Sequence, residues 1–213
     1  NGDCLTSQFY VMATGCLSLP KEPDVPGANR FGGTTYSTNA WPHDGVDFTG
    51  KRVAVIGTGS SGIQSIPLIA KEASQITVFQ RTANYAAPAN NGPVREDHLQ
   101  KLRADRDTYH EGARWSRAGV PLPRSEEPFF TVEPEERQRR LEKGFARGDL
   151  LTINTSFTDL VSNQAANDSV AEFFRDKVRA KVTDPQTAED LCAKDFPLFT
   201  KRLCLETNYF ETF

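Results

Sequence analysis

The stretch Val53-Ala-Val-Ile56 runs directly into Gly57-Thr58-Gly59-Ser60-Ser61-Gly62 and then into an apolar helical run, Ile63 to Ala70. A short buried strand, a turn too tight for side chains and a helix form, in that order, the corner that cradles a dinucleotide pyrophosphate. Gly57 supplies the turn, Gly59 lets the backbone approach the phosphates, and Gly62 lets the new helix lie against the strand. The helix start adds free N–H groups and the positive end of its dipole. Thr58, Ser60, Ser61 and Gln64 join the three glycines as candidate cofactor-binding residues. The glycine spacing alone also occurs in plain strand–turn–helix corners, so its weight comes from the strand before it and the helix after it.

The second strand bears on which dinucleotide fits. Ile76-Thr-Val-Phe79 is followed by Gln80, Arg81 and Thr82. This is about twenty residues past the glycine turn, where an NAD-binding fold places an acidic clamp on the ribose. No carboxylate stands there. The planar donor fork of Arg81 suits a 2′-phosphate better than a hydroxyl, which favours NADP(H) over NAD(H). The competing reading leaves Arg81 as a solvated surface charge.

A chain of 213 residues accommodates one large domain, or one with a helical elaboration, but not two complete nucleotide-binding domains. The formal net charge of −3, with basic residues spread among acidic ones, carries no polyanion signature, so nucleic acid is not an expected partner. No apolar run approaches the roughly 18 residues of a membrane span, and the first residues lack a signal peptide's basic and apolar regions. A cytoplasmic protein without a membrane partner is expected. Cys4, Cys16, Cys192 and Cys204 form no CxxC pair, and His43, His98 and His110 complete no zinc-like cluster. The cysteines read as reduced thiols and no metal site is expected. His98 and His110 lie in polar helical sequence and read as surface residues.

Along the chain, Gln8-Phe-Tyr-Val-Met12 reads as a short apolar strand that breaks at Ala13-Thr14-Gly15. Residues 20–50, with Pro20, Pro23, Pro26, Gly27, Gly32, Gly33, Pro42 and Gly45, read as a connecting segment lying over a surface. Beyond Pro93 the strand–helix alternation gives way to charged helical segments. Thr131 precedes a helix start with Pro134 and acids in the first turn, leading to Leu141 and Phe145. Asp168 and Ser169 are the expected caps of a helix burying Val170, Phe173, Phe174, Val178 and Val182, and Asp184-Pro185 opens a shorter one through Leu191.

Several segments together resemble one family, the Baeyer–Villiger flavin monooxygenases. Their F-x-G-x-x-x-H-x-x-x-W-P fingerprint reads here Phe31, Gly33, Ser37, Trp41 and Pro42, with serine at the histidine position. A hydroxyl cannot replace imidazole as a titratable switch. The Trp-Pro ending sets the chain apart from the related flavin-containing and N-hydroxylating monooxygenases. Ala13-Thr14-Gly15 is similar to the family's exit from its flavin domain. Phe196-Pro197-Leu198-Phe199-Thr200-Lys201-Arg202 looks like its segment ending in Lys-Arg, where many relatives have glycine at the position of Phe199. The resemblance implies that Arg81, Thr82 and Lys201 contact the 2′-phosphate. It also implies that Arg202 acts in catalysis, reaching the flavin face and stabilising the peroxyflavin anion.

The expectation is therefore an α/β, Rossmann-like three-layer NADP-binding domain with a helical insertion, flanked by strands and linkers of a missing FAD domain. Its parts are 1–19, the end of an FAD-domain segment; 20–50, the fingerprint linker; 51–203, the NADPH-binding domain with an insertion at about 94–193; and 204–213, the return linker. No second glycine-rich fingerprint is present, so the FAD site is expected to lie mostly outside the chain. NADP(H) and FAD would serve the insertion of one oxygen atom of O2 into a ketone to give an ester or lactone. The alternatives are the NADP-binding domain of an N-hydroxylating or sulfoxidising flavin monooxygenase, a redox-inactive NADP-binding module, and a nicotinamide dehydrogenase. Phe9, Tyr10, Tyr209, Phe210 and Phe213 are expected to form exposed apolar edges.

Overall fold

The computed structural model describes residues 2–15, 19–20, 24–116, 119–122, 124–148 and 151–213. Cys16 and Pro23 lie outside them. The chain divides into two units, Asn1–Asp47 and Phe48–Phe213. In the first, a 3-10 turn spans Ala28–Arg30, entered through Gly27 at φ 82°. The expected strand over Gln8–Met12 is not formed: a strand needs a second strand to pair with, and among the described residues none pairs here, the Phe9 carbonyl accepting locally from the Ser7 hydroxyl at 2.9 Å. Phe9 and Tyr10 are exposed.

The second unit is a mixed helix and strand fold. Strand β1 (Arg52–Ile56), helix α1 (Ser60–Ala70) and strand β2 (Gln75–Phe79) form a crossover in which β1 and β2 pair in parallel, with Val53 opposite Ile76 and Ile56 opposite Phe79. Alternation turns Val53, Val55, Ile76 and Val78 toward α1, whose Ile63 and Ile66 are fully buried. Each such isoleucine contributes about 1.5–3 kcal/mol by leaving water. Strand β3 (Ala86–Pro88) pairs in parallel with β4 (Cys204–Glu206). The described residues between them form helices α2 (Glu96–Ala104), α3 (Arg106–Trp115), α4 (Pro134–Arg147), α5 (Gln164–Lys181) and α6 (Pro185–Leu191), with no strand. No helix among the described residues is long and apolar enough to cross a membrane.

Pro134 stands in the first turn of α4 and Leu141 is buried, as expected. The start of α5 differs from expectation. Asn163, not Asp168 or Ser169, is the cap, its side chain accepting from the Ala166 amide at 3.3 Å. Asp168 instead receives Gln164 Nε2, and Ser169 Oγ donates to the Ala165 carbonyl. An interior helical position leaves either residue no free N–H to cap. The expected core face of α5 is buried, with Val170, Phe173, Phe174 and Val178 facing inward.

Tyr209 and Phe210 depart from the expected exposed edge. Both are buried with Ile63, Ile66 and Cys204, because β4 pairs with β3 and carries the last residues onto α1 and α5. Residues 204–213 thus pack within this second unit. Phe213 is 38% exposed, so it alone of the three stays at the surface. His98 and His110 are exposed, and Cys4, Cys192 and Cys204 are free thiols.

Helix α6 is held by Asp184, which accepts from the Thr187 amide at 2.7 Å, and by Glu189, paired with Arg179 and Lys194. The Arg179 and then the Lys194 hydrogen bonds hold the Glu189 carboxyl at about 2. A depressed carboxylate stabilises the fold above its unfolded value and loses that contribution as pH falls through the folded one. The melting temperature is therefore expected to drop between about pH 4.5 and pH 2, with a shallower drop in Glu189→Gln; equal slopes in calorimetric melts would remove Glu189 as a cause.

Candidate functional site

The site is built at the carboxyl ends of β1 and β2, where parallel α/β units bind ligands. Gly57 leaves β1 at φ 98°, a left-handed conformation costly for any residue with a Cβ, and its amide donates to the Phe79 carbonyl at 2.9 Å. Gly59 precedes α1 with no side chain capping the helix, so its first amides point outward unsatisfied by any cap. A Cβ added at Gly57 or Gly59 would meet nothing within 4 Å, whereas one on Gly62 would collide with the Gly57 carbonyl oxygen. The outer side of the turn is open space, and the inner side is closed by helix-to-strand packing.

Two side-chain hydrogen bonds tie the residues after β2 to this turn, and a third ties them to α6. Thr58 is buried, its hydroxyl donating to the Thr82 carbonyl at 3.2 Å. Asn84 Nδ2 donates to the Thr58 carbonyl at 2.6 Å. Gln80 Nε2 reaches the Asp190 carbonyl of α6 at 2.8 Å, which occupies the residue at the ribose-clamp position. Arg81, between these anchors, is exposed, and no described carboxylate pairs with it. Ser60, Ser61 and Gln64 are exposed on the first turns of α1. The Thr58 side chain thus braces the turn from within, leaving the uncapped amides at the start of α1 for a ligand.

Lys201 and Arg202 enter the same region through β4. The Cys204 amide donates to the Tyr85 carbonyl at 3.0 Å, so the segments holding Arg81 and Lys201 lead into the same end of the β3–β4 pair. The Cys204 thiol, raised by burial and held down in part by a hydrogen bond with Ser60, joins β4 to the start of α1. Both Lys201 and Arg202 are exposed, and the Lys201 ammonium sits 4.0 Å from the centre of the Phe196 ring. Phe199 adopts φ 68°, the glycine-like conformation that the resemblance left open.

The fingerprint residues belong to the first unit. The Phe31 ring folds over Gly33, where an added Cβ would lie 2.6 Å from it. Ser37 caps a turn, its hydroxyl accepting from the Asn39 amide at 3.4 Å and its carbonyl from Ala40 at 3.0 Å. The Tyr36 and Trp41 rings lie 5.8 Å apart, tilted by 45°, and the Pro42 carbonyl accepts from the Gly45 amide at 3.1 Å. Among the described residues no cluster of His, Cys, Asp and Glu could hold a metal. Thr58, Asn84 and Gln80 hold the site in ways that sequence spacing did not show, because each bond joins residues far apart in the chain.

No protein-family model matches the chain. It is 37% identical to cyclohexanone 1,2-monooxygenase of Acinetobacter sp. over all of its own length and 39% of that protein. It is 36% identical to a Baeyer–Villiger monooxygenase of Pseudooceanicola batsensis, again over the whole chain and 39% of the relative. A solved structure of OTEMO in complex with FAD and NADP superposes with a TM-score of 0.87 at 39% identity, covering 94% of this chain and 39% of that one. Over its full length the chain is therefore homologous to Baeyer–Villiger monooxygenases, and it spans about two fifths of the relatives it matches.

Proposed function

We propose that the chain is the NADPH-binding part of an FAD-dependent Baeyer–Villiger monooxygenase that inserts one oxygen atom of O2 into ketones to give esters or lactones. The observation that carries this reading is the open glycine turn braced to an arginine with no acidic partner among the described residues: Thr58 and Asn84 tie Gly57–Gly62 to Arg81–Thr82. The uncapped α1 amides suit a pyrophosphate, and Arg81 with Lys201 suits a 2′-phosphate. Kinship with cyclohexanone 1,2-monooxygenase, and likeness to a structure holding FAD and NADP, support the ketone substrate and both cofactors.

In this reading the second unit is a Rossmann-like three-layer domain in which residues 51–203 bind NADP(H) around a helical insertion. Residues 20–50 carry the fingerprint, and 1–19 and 204–213 adjoin the flavin-binding part. When bound, the two cofactors supply hydride transfer and oxygen activation. The chain's own residues bind and orient. The α1 amides would hold the pyrophosphate, and Arg81 would hold the 2′-phosphate. Arg202 would supply a permanent positive charge for the negative charge that the ketone oxygen gains as its carbonyl is attacked, a fixed electrostatic contribution that needs no reorganisation.

Calorimetric titration of the intact protein with NADP⁺ and with NAD⁺ tests the binding half, with tighter NADP⁺ binding expected; equal affinities would end the phosphate argument. For the chemical half, ketone-dependent NADPH oxidation yielding a product one oxygen atom heavier is expected. A full-length protein that binds NADP⁺ but neither holds FAD nor oxygenates ketones is a redox-inactive module instead, whereas the 213 residues alone are expected to bind NADP⁺ without oxygenating ketones.

A further inference from the structure

We infer that Asn167, a buried residue of α5, is a positioning residue for Lys201, acting by locking the turn just before it. This rests on the NADP(H)-binding reading above. The turn is Pro197-Leu198-Phe199-Thr200, closed by the Thr200 amide donating to the Pro197 carbonyl at 3.2 Å. Phe199, its third residue, has φ 68°, while Leu198 is not among the positive-φ residues, so the turn is of type II. That turn type is made for glycine at its third position. An aromatic residue there pays the left-handed penalty, which a flip of the central peptide to a type I turn would relieve.

The central peptide is the one whose carbonyl belongs to Leu198, and Asn167 holds it. Asn167 Nδ2 donates to the Leu198 carbonyl at 2.9 Å, and its Oδ1 accepts from the Leu198 amide at 3.0 Å. The second Nδ2 proton goes to the Leu160 carbonyl at 2.8 Å. Asn167 is 5% exposed and Leu198 2%, so water cannot replace these bonds. A flip would turn the Leu198 carbonyl away from its buried donor. The amide thus selects the strained turn over the relaxed one and sets the direction in which the chain leaves toward Thr200, Lys201 and Arg202. With the turn relaxed, Lys201 would leave Phe196 and the 2′-phosphate side of the cradle.

The test uses the intact protein, with NADP⁺ and NAD⁺ affinities measured by calorimetry. Asn167→Ala is expected to weaken NADP⁺ about tenfold, equivalent to about 1.4 kcal/mol, with NAD⁺ unchanged. Adding Phe199→Gly is expected to restore NADP⁺ binding, because glycine holds the left-handed turn without help. In a Lys201→Ala background, Asn167→Ala should cost nothing further, since its effect runs through Lys201. If Asn167→Ala does not fold, the double variant with Phe199→Gly is expected to fold and to prefer NADP⁺. The inference is overturned by an unchanged NADP⁺ to NAD⁺ ratio in Asn167→Ala, by a loss that glycine does not restore, or by a double variant that fails to fold. A wild-type protein with no NADP⁺ preference overturns the function itself and this inference with it; a wild-type preference that Asn167→Ala leaves intact overturns the inference alone.

Discussion

Replacing Arg81 with alanine is expected to weaken NADP⁺ binding by roughly ten- to a hundredfold while leaving NAD⁺ binding and thermal stability where they were. The magnitude follows from the bond type: a hydrogen bond to a charged group contributes about 1.5–3 kcal/mol, and each 1.4 kcal/mol is about a factor of ten. Selectivity follows from position. Arg81 is exposed, has no described carboxylate beside it, and leaves the anchors of its segment to Thr58, Gln80 and Asn84. Its removal therefore takes away a donor fork without disturbing the turn. Arg81→Lys keeps the charge but loses the bidentate geometry, so it should fall between the two. Loss of NAD⁺ affinity to the same extent would show that Arg81 serves the pyrophosphate or the turn instead, and an unchanged NADP⁺ affinity would return it to the solvated surface.

What could be read from the sequence was what local rules decide. β1, α1 and β2 follow from alternation, from the glycine turn and from an apolar helical face, and they stand within a residue or a few of where those signals put them. α6 was equally legible, since Asp184 and Pro185 are a local start signal. The misreadings concern competition or distance. Asn163 and Asp168 are both good capping residues, and the choice between them depends on where Leu160 and Asn167 are buried, which no local pattern states. Residues 8–12 have strand-like composition, but a strand exists only with a partner. Tyr209 and Phe210 are buried through a parallel pairing of residues more than a hundred positions apart. The candidate site divides in the same way. Its glycines and cations were visible as residue types at a spacing. The bonds that aim them, from Thr58 to Thr82, from Gln80 to α6 and from Asn167 to Leu198, are side-chain contacts between distant segments.

The three glycines of the turn are chemically identical and are expected to fail in different ways when changed to alanine. Gly59 has extended backbone angles open to alanine and nothing within 4 Å of its missing Cβ. Gly59→Ala should therefore melt near the wild-type temperature, since alanine in place of glycine ahead of a helix costs under about 1 kcal/mol. The added methyl would instead stand in the open side of the cradle. If the pyrophosphate lies there, the overlap costs about 1–3 kcal/mol, or roughly five- to a hundredfold in affinity for NADP⁺ and NAD⁺ alike. Gly62→Ala reverses the pattern. Its Cβ would collide with the Gly57 carbonyl oxygen, a backbone atom that cannot turn aside as a side chain does. Either α1 lifts from β1 or the turn opens, and Ile63 and Ile66, both fully buried, lose their packing. A loss of about 1–3 kcal/mol shifts melting by about 2–4 °C per kcal/mol in a chain of this size. Gly57→Ala carries the penalty of a left-handed alanine, so it should lower stability while leaving the cradle open. Melting curves and calorimetric titrations of the three variants separate these effects. A Gly59→Ala protein that still binds both dinucleotides at wild-type strength would mean that the phosphates do not approach this turn.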